Sequence, residues 1–235
     1  MYRVEDKYQL NNLQMYILEH RISSILNPDF HSGTTGYEIS SIYFDDMYDT
    51  HYEDTIDGID KRDKYRIRIY NNSFETINLE VKHKLHNRIK KDSCRITYEE
   101  YLQLMDSTPL SNSNYGSLDG ASQNLAISQF NTAIKTRGLV PKVIVTYHRN
   151  AYINEAGNVR ITFDRNVRAC KNFSLFGQEE CYSDSVSLLD DAESAILEVK
   201  YDEFLPDYIA NTLELGSLWQ TSYSKYALCR DTILI

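Results

Sequence analysis

Several stretches of this chain alternate polar and apolar residues with a period of two, the pattern of a strand with two unlike faces. KYRIRIY (64–70) and INLEVKHKL (77–85) are the clearest. At 2–9, Arg3, Glu5, Lys7 and Gln9 share one side, and Val4, Tyr8 and then Leu10 the other. Further strands are expected at 38–44 (EISSIYF), 88–97 (RIKKDSCRIT) and 195–201 (AILEVKY). KVIVTYHRNAY (142–152) and NVRITFDRNV (158–167) form a hairpin across Asn154–Gly157.

Other stretches read as helices. One is expected over 11–26, capped by Asn11 or Asn12, with Leu13, Ile17, Leu18, Ile22 and Ile25 at helical spacing and Asn27-Pro28 as its stop. Thr97 with Glu100 makes a capping box that opens a helix over 98–105. A helix over 122–136 stops at Gly138, and Pro206 opens one over 206–215. Residues 222–230 read as a final helical turn or two. Residues 45–61 are acidic and tyrosine-rich and end in the turn signal Asp57-Gly58, and 106–120 read as a loop rich in Ser, Asn, Gly and Pro. Residues 170–186 carry no clear pattern.

Sorting the strands by parity changes the picture. Arg66 and Arg68 share one face of their strand, and Glu80, Lys82 and Lys84 one face of the next. Tyr147 with Arg149, Arg160 with Thr162 and Asp164, and Glu198 with Lys200 repeat the arrangement. The chain of 235 residues is acidic, with 25 Lys and Arg against 34 Asp and Glu and a net charge of −9. An acidic protein that gathers its basic residues on strand faces is not simply wetting one side of a sheet. The pattern predicts an α+β fold in which the strands close into a barrel with a charged lumen and helices packed outside. Like charges around one lumen repel, so such a design implies an obligatory polyanionic ligand such as a chain of phosphates. On this reading the acidic residues sit elsewhere and the lumen is poor in carboxylates.

Composition narrows the classes. Hydrophobic content of 42% supports a packed core, and 9 Gly with 4 Pro exclude low-complexity designs. No apolar run approaches the roughly 18–20 residues of a membrane helix, and the start has no apolar signal core. Cys94, Cys170, Cys181 and Cys229 form no CxxC pair, which argues against a zinc site or a disulfide framework and suits a cytoplasmic location. A single domain over 1–235 is expected, since no linker divides the chain. The six histidines (His20, His31, His51, His83, His86 and His148) lack metal-ligand spacing. KHKLHNRIKK (82–91) lacks the aromatic residues of a nucleic-acid platform. Asp45, Asp46 and Asp49 read as a solvated loop.

KYRIRIY, LEVKHK, VTYHRNAY, VRITFDRNV, ILEVKYD and SYSKYALCR, in that order, resemble the VTC domain, the polyphosphate polymerase domain of the vacuolar transporter chaperone complex, within the triphosphate tunnel or CYTH-like superfamily. The resemblance runs from Tyr2 to about Arg230. It implies a closed antiparallel tunnel β-barrel of about eight strands with helices outside, and transfer of the terminal phosphoryl group of ATP to a growing inorganic polyphosphate chain, assisted by Mn2+ or Mg2+. By motif it implies catalytic roles for Lys7, Arg66, Arg68, Lys82, Arg149, Arg160, Lys200 and Lys225. Tyr147 and Ser224 join the phosphate-binding set, and Glu198 matches the metal-binding glutamate, with Glu5 and Glu80 as second candidates. Tunnel hydrolases begin ExExK, whereas this chain reads Arg3-x-Glu5-x-Lys7. That departure favours transfer over hydrolysis. The chain shows neither the sensor domain nor the membrane helices of the eukaryotic complexes, and resembles the stand-alone prokaryotic form. ATP and polyphosphate are the expected partners, with no nucleic acid and no membrane segment in the chain. A tunnel triphosphatase and a non-catalytic polyphosphate or nucleotide binder are the alternatives.

Overall fold

The computed structural model describes residues 2–33, 35–111, 120–187 and 195–234. In chain order the elements are β1 (Arg3–Leu10), α1 (Asn12–Ser23), β2 (Asn27–Pro28), β3 (Tyr37–Asp45), α2 (Thr50–Ile56), β4 (Lys61–Tyr70), β5 (Ser73–Leu85) and β6 (Arg88–Ile96). There follow α3 (Tyr98–Met105), α4 (Gly120–Arg137), β7 (Val140–Asn154), β8 (Val159–Cys170), α5 (Glu180–Ser183), β9 (Val186–Ser187), β10 (Ala195–Tyr201), α6 (Asp207–Thr212) and α7 (Lys225–Leu234). Eight strands pair in the order β7-β3-β4-β5-β6-β1-β10-β8, and β7 also pairs with β8, so the antiparallel sheet returns on itself as a ring. The short β2 and β9 extend it alongside β7 and β8.

Alternation along the strands gives the ring an outer apolar face. Ile67, Leu79 and Val81 are fully buried there, against Tyr101 and Leu104 of α3 and Phe130 and Ala133 of α4. Leu197, Val199, Ile161 and Phe163 form a second outer layer under Leu18 and Ile22 of α1 and Ile209 of α6. Each such aliphatic side chain contributes about 2 kcal/mol by leaving water. The outer helices follow the sequence closely. Asn11 caps α1 in a capping box with Gln14, and Thr97 and Glu100 cap α3 reciprocally. Gly138, at φ 68°, ends α4 in the left-handed conformation that glycine adopts most easily.

Three features differ from expectation. Asp45, Asp46 and Asp49 are not a solvated loop: they lead into α2, with Asp45 fully buried and Asp46 nearly so. The Asp45 carboxylate accepts from the backbone N–H groups of His51 and Tyr52 and from the Tyr226 hydroxyl (2.6 Å). Second, α7 runs to Leu234 and packs on the inner face of the ring. Its Tyr226, Cys229 and Ile233 meet Tyr43, Val143, Val145, Val167 and Ala169. Third, the ring is thinly joined at one seam, where β1 meets β6 only through Arg3–Ile89 and Val4–Arg88. Further along β1, the chain before α7 takes over: Tyr8 bridges Gln220, and the Thr221 N–H donates to the Lys7 carbonyl (2.9 Å). The loop expected at 106–120 lies partly, at 112–119, outside the described residues.

Candidate functional site

The inner face encloses a cavity of about 410 Å³. Ten cations line it: Lys7 from β1, Arg62, Lys64, Arg66 and Arg68 from β4, Lys82 and Lys84 from β5, Arg149 from β7, Lys200 from β10 and Lys225 from α7. Glu5, Asp6 and Glu198 are the carboxylates in the lining. Register explains the convergence, because directly paired residues of neighbouring strands face the same way. Arg66 lies opposite Glu80 and Tyr43, Lys64 opposite Lys82, Lys7 opposite Glu198, and Glu5 opposite Lys200.

The interior charges are paired. Glu80, fully buried, takes Arg66 at 2.6 Å, Lys91 at 2.7 Å and Arg68 at 3.7 Å. Glu5 holds Lys82 at 2.8 Å, Lys200 at 3.2 Å and Lys7 at 3.5 Å. Glu198 holds Lys200 at 2.7 Å, Lys225 at 2.8 Å, Arg149 at 3.5 Å and Lys7 at 3.8 Å. Asp164, fully buried, clasps Arg149 through two 2.6 Å bonds and Lys225 at 2.6 Å. The expectation of a lumen poor in carboxylates is therefore corrected: four inward acids divide seven of the ten cations among them. Glu5 and Glu80 are ion-paired within the ring, and Asp164 orients Arg149 and Lys225.

Burial and neighbours set the protonation states. Burial opposes charge on Glu198, but Lys200, Lys225, Lys7 and Arg149 outweigh it and hold the carboxyl well below the usual range. Glu5 is held low against burial by Lys82, Lys7 and Lys200, and Glu80 by Arg66, Arg68 and Lys91. For Lys82 burial wins: with Lys7 and Lys200 adding repulsion, its pKa is lowered to about 7 despite Glu5. Burial lowers Lys64 too, and Lys7, Lys82 and Arg62 push it further down.

Tyr147 completes the wall. Its hydroxyl accepts from Arg68 (3.3 Å), and its ring lies 5.3 Å from Arg149 and 4.9 Å from the Lys225 ammonium. Ser224 accepts from Lys64 (2.7 Å) and caps α7 through the Ala227 N–H (3.2 Å). Of the residues singled out by motif, Lys7, Arg66, Arg68, Lys82, Tyr147, Arg149, Glu198, Lys200, Ser224 and Lys225 all line the one cavity. Arg160 does not. It shares the face of β8, but its guanidinium turns to Asp29 (2.5 Å) and the Tyr37 hydroxyl (3.1 Å), away from the lining. Sequence reasoning missed Arg62, Lys64, Tyr43 and Tyr226, and left Lys84 out of the site. Parity with Arg66 and Lys82 marks the first two and Lys84.

Among the described residues no group of three or more His, Cys, Asp or Glu side chains forms a ready metal site. Glu198 and Glu5 share Lys7 and Lys200, so two carboxylates stand together. Magnesium and manganese keep most of their ligands as phosphate or water oxygens. The donor set therefore fits a metal carried in with phosphates, and not one held by protein alone.

Solved structures share this fold. HpAC1 from Hippeastrum, described as an adenylyl cyclase with a dominant triphosphatase activity, matches with a TM-score of 0.55 at 14% identity, over 98% of this chain and 96% of its own. The PH1012 protein of Pyrococcus horikoshii OT3 matches at 0.51 and 12% identity, covering 96% and 98%. A protein of Vibrio parahaemolyticus described as an adenylate cyclase matches at 0.51 and 11%, covering 96% and 97%. At such identities the likeness is one of fold. No described helix is long and apolar enough to cross a membrane. A search of curated proteins finds no match. The sequence profile of the VTC domain, by contrast, matches residues 2–233, and the chain belongs to that family.

Proposed function

We propose that this chain, acting as one domain, is a phosphotransferase that moves the γ-phosphoryl group of ATP onto a growing inorganic polyphosphate. The observation that carries the reading is the convergence of ten cations on one cavity in a chain of the VTC family. A terminal oxygen of the polyphosphate attacks the γ-phosphorus, the bond to the bridging oxygen breaks, and ADP leaves with that oxygen. The protein's part is to hold both anions in line and offset charge on the phosphoryl oxygens. Arg66, Arg68 and Arg149 suit the non-bridging oxygens, because a guanidinium offers a fork of donors. Lys7, Lys82, Lys200 and Lys225 supply compact charge around them. Mn2+ or Mg2+ at Glu198 would neutralise further phosphate charge. Arg160, paired with Asp29 and Tyr37, has no part at the reaction centre on this reading. ATP as donor suits a cytoplasmic location.

Hydrolysis of triphosphates is a second reading, favoured by the four inward carboxylates. Pure protein given ATP, Mn2+ and a short polyphosphate primer separates the two. Lengthening of the primer on a gel is the expected result; stoichiometric orthophosphate with an unchanged or shortened primer would assign a triphosphatase. Glu198→Gln is expected to keep nucleotide binding and lose metal-dependent turnover by roughly 100-fold or more. Unchanged turnover and metal affinity would move the metal to Glu5 or Glu80.

A further inference from the structure

The cavity cations fall into two groups. Those of the interior each have a carboxylate within 4 Å, as Arg66 has Glu80, Lys82 has Glu5 and Arg149 has Asp164. Arg62, Lys64 and Lys84 also line the cavity, but among the described residues none of them makes an ion pair. The three form one patch. Arg62 lies directly opposite Lys84 across β4 and β5, and Lys64 is two residues along the same face. Each is fixed or crowded: Arg62 donates to the Ile59 carbonyl (2.5 Å), and Lys64 donates to Ser224 and lies 5.8 Å from the Tyr226 ring.

Three half-buried cations with no ion-pair partner are costly in a folded protein, and the more distant Asp54, Asp60 and Glu5 offset that cost only in part. Burial, together with the repulsion of Lys7 and Arg62, also lowers Lys84. A phosphate arriving at the interior must displace a carboxylate from each cation it takes, so it exchanges one charged partner for another. A phosphate arriving at Arg62, Lys64 and Lys84 displaces none, and it gains new charge-assisted hydrogen bonds outright.

We propose that Arg62, Lys64 and Lys84 form a phosphate-capture subsite on the β4–β5 side of the cavity, which takes a phosphate group of the chain beyond those held by Arg66, Arg68 and Arg149. The assignment rests on the phosphate-chain reading above and adds the place where the chain's free charge is met. The subsite makes the unliganded protein less stable and the liganded one tighter. Its contribution to binding is strongly salt-dependent, because its cations are neutralised by counterions until the chain arrives.

Binding of tripolyphosphate and of long-chain polyphosphate to the full chain, measured by calorimetry at several salt concentrations, tests this. The pair of substitutions Arg62→Gln and Lys84→Met is expected to weaken long-chain binding by roughly tenfold or more. It should also flatten the dependence of log K on log salt by about two charges. Lys64→Met is expected to raise the melting temperature of the ligand-free protein while reducing the further rise that polyphosphate gives. Lys200→Met, which takes one cation from both Glu5 and Glu198, should lower the ligand-free melting temperature instead. Wild-type affinity and salt slope in the double variant, or a lower ligand-free melting temperature in Lys64→Met, would overturn the subsite while leaving the phosphotransferase reading intact. Wild-type protein that binds neither phosphate chain would overturn both.

Discussion

Glu80 is out of contact with water, and Arg66, Arg68 and Lys91 share it. This pairing reverses the simplest view of a cationic lumen, in which removing an arginine relieves repulsion. Breaking a buried ion pair by deleting one partner leaves an uncompensated charge. Arg66→Ala is therefore expected to destabilise the fold by about 3 kcal/mol, read from the denaturant midpoint. Combining Arg66→Met with Glu80→Gln should recover only part of that loss, since the Arg66–Glu80 pair then leaves no charge behind but Arg68 and Lys91 lose their carboxylate. An Arg66→Ala protein as stable as wild type would mean that Lys91 and Arg68 suffice for Glu80. At this scale the sequence was informative about which residues face inward, because parity along a strand is fixed by geometry. It was silent on which acids they meet. Glu80 and Arg66 are 14 positions apart, and only the β4–β5 register brings them opposite. Arg160 shows the limit of parity: its backbone position is on the right face, yet Asp29, brought there beside β2, draws the guanidinium off the cavity.

Elements with one wet and one dry face were legible in the sequence, and elements without that contrast were not. The β4, β5, β8 and β10 strands alternate, and the α3 capping box has two partners three residues apart, a local signal. Helix α7 offers no such contrast. Its polar side chains are engaged as well as its apolar ones: Lys225 with Glu198 and Asp164, Arg230 with Asp49, and Asp231 with Tyr52. Helix α2 is acidic, has no apolar stripe, and is anchored by its first N–H groups to Asp45. These two helices meet at Asp45, so the site wall depends on it. Tyr226→Phe removes one donor from that buried carboxylate and should cost about 2 kcal/mol. It should also weaken phosphate binding, because Lys225 and Ser224 lie on the same turn. Thr97→Ala should cost about 1 kcal/mol by uncapping α3 on the outer face, with phosphate binding unchanged. Thermal melts with and without tripolyphosphate separate the two. Equal losses of binding in both variants would show that the outer layer and the site wall yield together.

Across the whole molecule the charges are strongly segregated. Ten of the 25 Lys and Arg and three of the 34 Asp and Glu line the cavity, and the buried Glu80 and Asp164 stand behind its cations, which leaves 15 cations against 29 acids in the rest of the chain. An acidic exterior around a cationic cavity focuses anions toward the one place that can hold them. The same segregation makes the free protein sensitive to pH in an unusual direction. Lys82 faces Glu5 and Lys7 of β1, Lys200 and Glu198 of β10, Lys64 of β4 and Lys91 of β6, and its pKa stands at about 7. In the unfolded chain a lysine keeps its proton until about pH 10.4. Between these values the unfolded state binds more protons than the folded one, so stability rises with pH across roughly 7 to 10. Lys64, also lowered, adds to the same slope. At the acid end the paired carboxylates act in the opposite sense. Glu5, Glu80, Glu198 and Asp164 are held below their ordinary values, so their contribution is present above the unfolded pKa and is lost as pH falls through the folded one. A phosphate chain favours the charged form of Lys82 and must bring its proton back. Binding near pH 8 should therefore take up close to one proton, seen as a dependence of calorimetric heat on buffer ionisation enthalpy. Above that pH, affinity should fall by up to about tenfold per pH unit for each lysine that recharges. Chemical denaturation of the ligand-free protein between pH 7 and 10 supplies the companion measurement. A flat stability profile together with no proton uptake would show that Lys82 keeps its charge in the free cavity and that Glu5 outweighs its burial.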